Sequence, residues 1–424
     1  MRRAGLMPPK PIDRLVSEFD GPDYVVPREP WLALFLRFLR FGALAWGGPV
    51  AQIAMIRQEL VDEQRWIDSE HFNRVLAVYQ VLPGPEAHEL CVYFGMRSRG
   101  RWGGVLAGLG FMLPGFVLMF ALSWAYVRYG LGTAGLDAVF AAVQVAVAAL
   151  IVRAVIRIGS HVVTDRWLWA IAIVATAAQL AHVHFGIVLG AAGVVYALAR
   201  QPRWMPWAWL AGWVMLALVA ATLFLHGVPA LIPVAADDMG ATNLRHGVSA
   251  WALLWSGLKA GLLTFGGAYT VIPFLQRDAV TQGAWMSNAQ FLDGLALSGL
   301  LPAPLVIFST FVGYLGGGPW GAVAMTAGVF LPAFAFTLVG HEALERLVYQ
   351  PRIRLLLQGV TAGVVGLICG TSLALLKLSL TGWQPLVLFA LVLAVLFATK
   401  AKLAIPAVIA GAALWGWATL ASSL

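Results

Sequence analysis

The chain reads RFGALAWGGPVAQ at residues 40–52 and KAGLLTFGGAYTV at 259–271, then VLPGPE at 81–86 and LLPAPL at 300–305. Each pair is offset by 219 residues. The correspondence runs through Phe35–Pro85 and Leu254–Pro304, with Gly42 returning as Gly261, Trp66 as Trp285 and Phe72 as Phe291. After one deletion it continues at an offset of 218, where Gly95, Trp102, Gly103, Pro114 and Phe116 come back as Gly313, Trp320, Gly321, Pro332 and Phe334. Two diverged copies, each with Gly- and Pro-interrupted apolar runs at matching places, form the pattern of a secondary transporter whose substrate sits between repeats.

Composition puts the chain in a membrane. Apolar residues make up 60% of the 424 and charged residues 11%, against roughly 25% charged in a soluble domain. A membrane-spanning helix needs about 20 mainly apolar residues. Such runs are read near 31–48, 72–95, 103–127, 136–158, 167–182 and 185–199 in the first copy. In the second they fall near 251–267, 288–315, 320–341, 355–376, 383–398 and 404–421. The last two of each copy are short enough to form a hairpin that crosses only partly. Between the copies, Trp204–Leu225 is an uninterrupted apolar stretch of 22 residues. The expected fold is therefore all-α and integral to the membrane: two inverted-topology repeats joined by a linker transmembrane helix, with about thirteen spans, several of them broken. The expected units are a cytosolic, disordered tail at 1–30, a repeat at 31–200, a linker at 201–250 and a repeat at 251–424.

Loop charge supports an orientation. With a cytosolic N-terminus and alternating spans, 19 of 28 basic residues fall on the cytosolic side, and six (Arg57, Arg65, Arg74, Arg128, Arg245 and Lys377) on the other. That asymmetry is the positive-inside pattern, and it accounts for the net charge of +8 without nucleic acid, since no basic strip interleaved with aromatics is present. The two cysteines, Cys91 and Cys369, offer neither a disulfide framework nor a metal motif. His182 and His184 read as interfacial residues. No cofactor fingerprint, phosphate-binding loop or catalytic-serine motif occurs, so neither an enzyme nor an ATP-driven pump is expected.

Several linked elements, each present twice and in order, resemble the chromate ion transporter family in its long two-domain form. They are Trp46-Gly47-Gly48 and Phe265-Gly266-Gly267, the turns at Trp66-Ile67-Asp68 and Trp285-Met286-Ser287, Leu82–Pro85, Leu301–Pro304, and Gly321 through Pro332. The resemblance spans about residues 31–421. It implies a bacterial inner-membrane protein that exports chromate from the cytosol and confers chromate resistance. Sulfate is the evident isostere; an oxyanion exchanger or an anion channel is the alternative, and a homodimer is left open.

The residues themselves suit a tetrahedral oxyanion. Gly47-Gly48-Pro49, Pro83-Gly84-Pro85, Gly266-Gly267 and Pro302-Ala303-Pro304 should each break a helix and restart it, because proline is tolerated at the first helical position but not in the interior. A restarted helix aims free N–H groups at the break, and four such termini would make an anion cradle. The plainer account is packing kinks. Arg40 and Lys259, at matching positions seven residues before Gly47 and Gly266, are the candidate counter-charges; the alternative is snorkelling to the interface. Glu86, His88 and Glu89 follow the first-copy proline pair, and Glu86 is matched by Leu305 in the second. They are candidates for a proton-coupling cluster, with helix capping as the alternative for Glu86. Glu59 and Asp278 are expected to pair with Arg57 and Arg277.

Overall fold

The computed structural model describes residues 25–46, 48–80, 82–129, 137–181, 183–226, 247–265, 268–348, 350–380, 382–399 and 404–421, and all regular structure among them is helical. Long apolar runs leave each backbone group only an intrahelical partner once water is excluded, which is why helices result. In chain order they are α1 (Trp31–Ala43), α2 (Gly48–Arg57), α3 (Ser69–Tyr79), α4 (Glu86–Tyr129), α5 (Asp137–Val162), α6 (Arg166–Leu180), α7 (Phe185–Ala199) and α8 (Met205–His226). After the linker come α9 (Ala250–Leu262), α10 (Val271–Gln276), α11 (Asn288–Gly299), α12 (Phe308–Val348), α13 (Pro351–Ser379), α14 (Trp383–Ala398) and α15 (Ala404–Ala421).

The two stretches pass through the same local devices. A π-helical turn follows α2 at Gln58–Glu63 and α10 at Arg277–Gln282. Arg65 and Ala284, 219 residues apart, both adopt positive φ just before the matched tryptophans. Asp68 and Ser287 then cap α3 and α11, accepting from the amides of His71 and Gln290. Helices α4 and α12 each turn sharply at a glycine with φ +64°, Gly100 and Gly318, a conformation that costs a residue with a Cβ roughly 1 kcal/mol or more.

Five helical segments among the described residues are long and apolar enough to cross a membrane: Glu86–Tyr129, Ala138–Val162, Pro202–Thr222, Leu305–Gly340 and Arg352–Lys377. The runs read as single spans at 31–48, 72–95, 251–267 and 288–315 are something else. Each holds a helix that ends at a break within the run. α1 has 13 residues, a length of about 20 Å against a hydrocarbon core of about 30 Å. Its Arg37 joins Glu29 before the helix to Glu59 and Gln64 after the break, so the chain comes back to its starting level. The second hairpin returns as well, with the Tyr93 hydroxyl 2.9 Å from His71 Nε2 and Phe94 stacked on Phe72. Ser98 closes the ring by donating to the Pro27 carbonyl at 2.6 Å. Arg57, Arg65 and Arg74, expected opposite Arg97, Arg99 and Arg101, therefore sit at the same end. The corresponding end of the second stretch gathers Val248, Trp285 and Gly316, and Arg277 belongs with it. Hydropathy registers apolar residues, and a return is as apolar as a crossing.

Beyond their kinks α4 and α12 are continuous and pack against each other antiparallel, Gly104 on Leu338 and Gly108 on Phe334. Trp102 and Trp320, which open these long segments, are 74% and 77% exposed, as interfacial tryptophans are. The short α6–α7 pair closes as a hairpin through the Tyr196 hydroxyl, which donates to the Asp165 carboxylate at 2.7 Å. Asp165 also caps α6. Partial burial tends to raise its pKa, but the bonds from Tyr196 and the amides of Leu168 and Trp167 and the nearby Arg200 outweigh that and hold it below the usual carboxylate range.

Candidate functional site

Four helix breaks meet in two pairs where the two stretches face each other. They lie between α1 and α2, α3 and α4, α9 and α10, and α11 and α12, and their described residues include Leu44–Trp46, Leu82–Pro85, Leu263–Phe265 and Leu300–Pro304. Gly47, Gly266 and Gly267 lie outside the described residues, whereas Pro83, Gly84, Pro85, Pro302, Ala303 and Pro304 are all buried.

The meeting is reciprocal. Gly84 packs on Ala333 of α12 and Ala303 packs on Gly115 of α4; these partners follow Pro332 and Pro114 at matching positions, so each break sits on the proline step of the other stretch's long helix. One backbone bond joins breaks directly, from the Gly84 amide to the Thr264 carbonyl at 2.8 Å. At the matching place Gln52 donates to the Ala45 carbonyl at 2.9 Å instead. Either way a carbonyl freed by a break finds a donor, as a buried one must. A cavity of about 40 Å³ lies between the other two breaks, lined by Trp46, Gly48, Tyr269, Ser298, Ala303 and Leu305 among others. A cavity needs about 10–15 Å³ to admit one water, so this one is large enough for water to enter. Of the expected cradle residues, the structure brings Gly48 and Ala303 together here.

Arg40 and Lys259 do not face this centre as free cations. Arg40 binds the Glu59 carboxylate, and Lys259 Nζ lies 2.7 Å from Asp278 Oδ2, which also accepts from Ser256 Oγ at 2.6 Å. Both acids sit in the π-helical turns of the returning helices. This corrects the expected Arg57–Glu59 and Arg277–Asp278 pairs: the hairpin sets residues 19 apart in sequence side by side, while Arg57 approaches Asp62 at 3.8 Å. The matched ion pairs tie the two arms of each hairpin. Lys259 is 37% exposed, so the pair contributes about 1 kcal/mol or less. Lys259→Ala and Asp278→Asn should each lower the unfolding midpoint in detergent by a few degrees and the double variant by no more than the larger single loss; additive losses would show that the two residues act independently.

Glu86, His88 and Glu89 open the restarted α4. Glu86 is half-buried, whereas His88 and Glu89 are fully buried. Neither carboxylate oxygen of Glu89 has a hydrogen-bond partner, and the Gly108 backbone is the polar group beside the His88 ring. The imidazole stands edge-on to Phe330 and Phe334, with centroids 4.9 and 4.7 Å away. The Glu89 carboxylate folds back into the break, so close to Gly84 (φ +156°) that a Cβ there would lie 2.7 Å from Oε1. At the corresponding places the second stretch has Leu305, Ile307 and Phe308, making one break titratable and the other apolar.

Sequence reasoning missed Asp293. It is buried on α11 and accepts from Tyr126 and Gln144. Its signal was a lone acid in the apolar run Phe291–Leu297, overlooked because its repeat counterpart is the basic Arg74. His184 caps α7 through Nδ1, which accepts from the Gly186 amide; His182 lies outside the described residues.

Comparison with known proteins gives this arrangement its context. The family model described as "Chromate transporter" matches residues 32–237 and 251–417. The chain is 55% identical over 397 residues to the chromate transport protein of Pseudomonas aeruginosa, covering 93% of each. It is 33% identical to the chromate transport protein of Cupriavidus metallidurans, over 96% of this chain and 97% of that one. The probable chromate transport protein of Synechococcus elongatus is 31% identical over 81% of this chain and 84% of its own. No solved structure matches the chain.

Proposed function

Because this chain belongs to the chromate transporter family, we propose that it is a secondary carrier that exports chromate from the bacterial cytosol and thereby confers chromate resistance. The observation that carries the proposal is the convergence of four helix breaks between two antiparallel stretches. A carrier needs a site reachable from either face, and paired broken helices about a pseudo-two-fold axis supply one. The anion is held by the helix termini at Gly47, Gly48, Gly266 and Gly267 and at the Pro83-Gly84-Pro85 and Pro302-Ala303-Pro304 breaks, with Arg40 and Lys259 adding positive potential from the hairpin arms. Glu86, His88 and Glu89 couple transport to protons.

The antiparallel packing of α4 on α12 and the matched kinks support two inverted repeats, 31–200 and 251–424, joined by α8 within a 201–250 linker. The crossings in this reading are the long parts of α4 and α12 together with α5, α8 and α13, with the shorter helices as paired hairpins. Five crossings put the chain ends on opposite faces. The collection of Arg57, Arg65, Arg74, Arg97, Arg99 and Arg101 at one end supports that end, and with it the N-terminus, being cytosolic in the inner membrane.

The test is purified protein in lipid vesicles loaded with unlabelled chromate. Labelled chromate should enter faster than into empty vesicles, since a carrier returns loaded from either side, and excess sulfate should compete to a measurable degree. Equal entry into loaded and empty vesicles would mark a channel, and no entry would overturn the proposal.

A further inference from the structure

One buried carboxylate is left without a part in this cycle. Asp293 is 4% exposed; Tyr126 Oη donates to its Oδ2 at 2.7 Å and Gln144 Nε2 donates to Oδ1 at 2.8 Å. The three side chains come from α11, α4 and α5, so the cluster ties the second stretch to the first. Around it, Phe311 of α12 packs edge-on to the Tyr126 ring at 5.1 Å and covers Gly294, and Phe140 of α5 meets the other side of Tyr126 at 6.1 Å. The groups presented to the carboxylate by α4 and α5 are thus a phenol and an amide, set among rings.

Its place relative to the central cavity is the informative part. α5 lines that cavity with Val147, Leu150 and Ile151, one and two turns beyond Gln144, and α11 lines it with Leu295, Ser298 and Gly299, up to two turns beyond Asp293. The two helices that wall the cavity are therefore fastened to each other just above it, towards the end that holds Val248 and Gly316. At the other end the counterpart of Asp293 is Arg74, which is 37% exposed and binds Glu70 at the surface.

We infer that Asp293, Tyr126 and Gln144 form a gate that seals the central cavity towards the Val248–Gly316 end, closed in this structure and parted during the transport cycle. The inference rests on the carrier reading. Two donors held on one carboxylate resist separation in an apolar setting, and a negative group in the wall also repels a dianion while the gate is shut. Opening removes both obstacles together.

The gate can be tested without substrate. Cys91 and Cys369 are replaced by alanine and Ser298→Cys is introduced in the cavity wall; vesicles of known orientation then receive a membrane-impermeant thiol reagent at one face or the other. With the cluster intact, labelling from the Val248–Gly316 face should be slow. Tyr126→Phe and Asp293→Asn, both nearly isosteric, should each speed it at least tenfold from that face and leave the rate from the opposite face unchanged. Rates equal to the parent's in both variants would overturn the gate, and so would acceleration from both faces, the mark of a loosened fold. Chromate flux is measured in parallel: vesicles that label as expected but carry no chromate would overturn the carrier reading and leave the gate standing.

Discussion

With the membrane potential clamped, chromate flux through the native protein should vary with an imposed pH gradient, and Glu86→Gln/Glu89→Gln should lose that dependence, the gradient-driven part falling at least tenfold. The expectation rests on Glu89 being wholly enclosed without a hydrogen-bond partner, next to the equally enclosed His88. Each orphaned polar group costs about 1–3 kcal/mol, and an unpaired charge in such surroundings several. A stretch that needed only packing would carry leucine, isoleucine and phenylalanine, which stand at the corresponding places of the second copy. Glutamine keeps the shape and much of the hydrogen-bonding capacity of glutamate but cannot take up or release a proton, so it removes titration with little else. Energetics do not force the coupling. A dianion leaving a negative interior gains about 2.3 kcal/mol per charge per 100 mV. A double variant with the wild-type pH dependence would therefore show export on potential alone, with Glu86 and Glu89 serving structure.

The second large effect is structural. Gly42→Ala and Gly261→Ala should each cost more than about 4 kcal/mol, in the range reserved for severe core disruption, and leave little monodisperse protein in detergent. A Cβ at Gly42 would lie 2.2 Å from the Phe111 carbonyl oxygen, and one at Gly261 2.3 Å from that of Val329. Both obstacles are backbone, so no rotamer change relieves them and the crossing helices must separate. Gly190→Ala is the control: nothing lies within 4 Å of its added methyl, and the helical preference of alanine should leave stability equal or slightly higher. If the Gly42 and Gly261 variants behave like that control, the close approach of α1 to α4 and of α9 to α12 is not what holds each stretch together.

How much of this was legible beforehand differs by feature. The four breaks were readable because glycine and proline act locally, on the backbone of their own turn. The ion pairs were not: Arg40 reaches Glu59 and Lys259 reaches Asp278 only because a break folds the chain back on itself, whereas Arg57 and Arg277 were nearer in sequence. The same reversal hid the side on which Arg57, Arg65 and Arg74 lie. The acidic cluster after Pro85 announced itself by its contrast with Leu305. Asp293 did not, because its partners Tyr126 and Gln144 lie some 150 residues or more away and no periodicity links them.

The unequal breaks carry a consequence for stoichiometry. A pair of identical subunits about a two-fold axis must bring its ionisable groups to that axis in even numbers, each matched by its image. Joining the halves in one chain lifts that constraint, and here one break keeps Glu86, His88 and Glu89 while its counterpart has Leu305, Ile307 and Phe308. On the proposed coupling, the single chain holds one such cluster for each anion it moves, a ratio closed to an assembly of two equal chains about a two-fold axis.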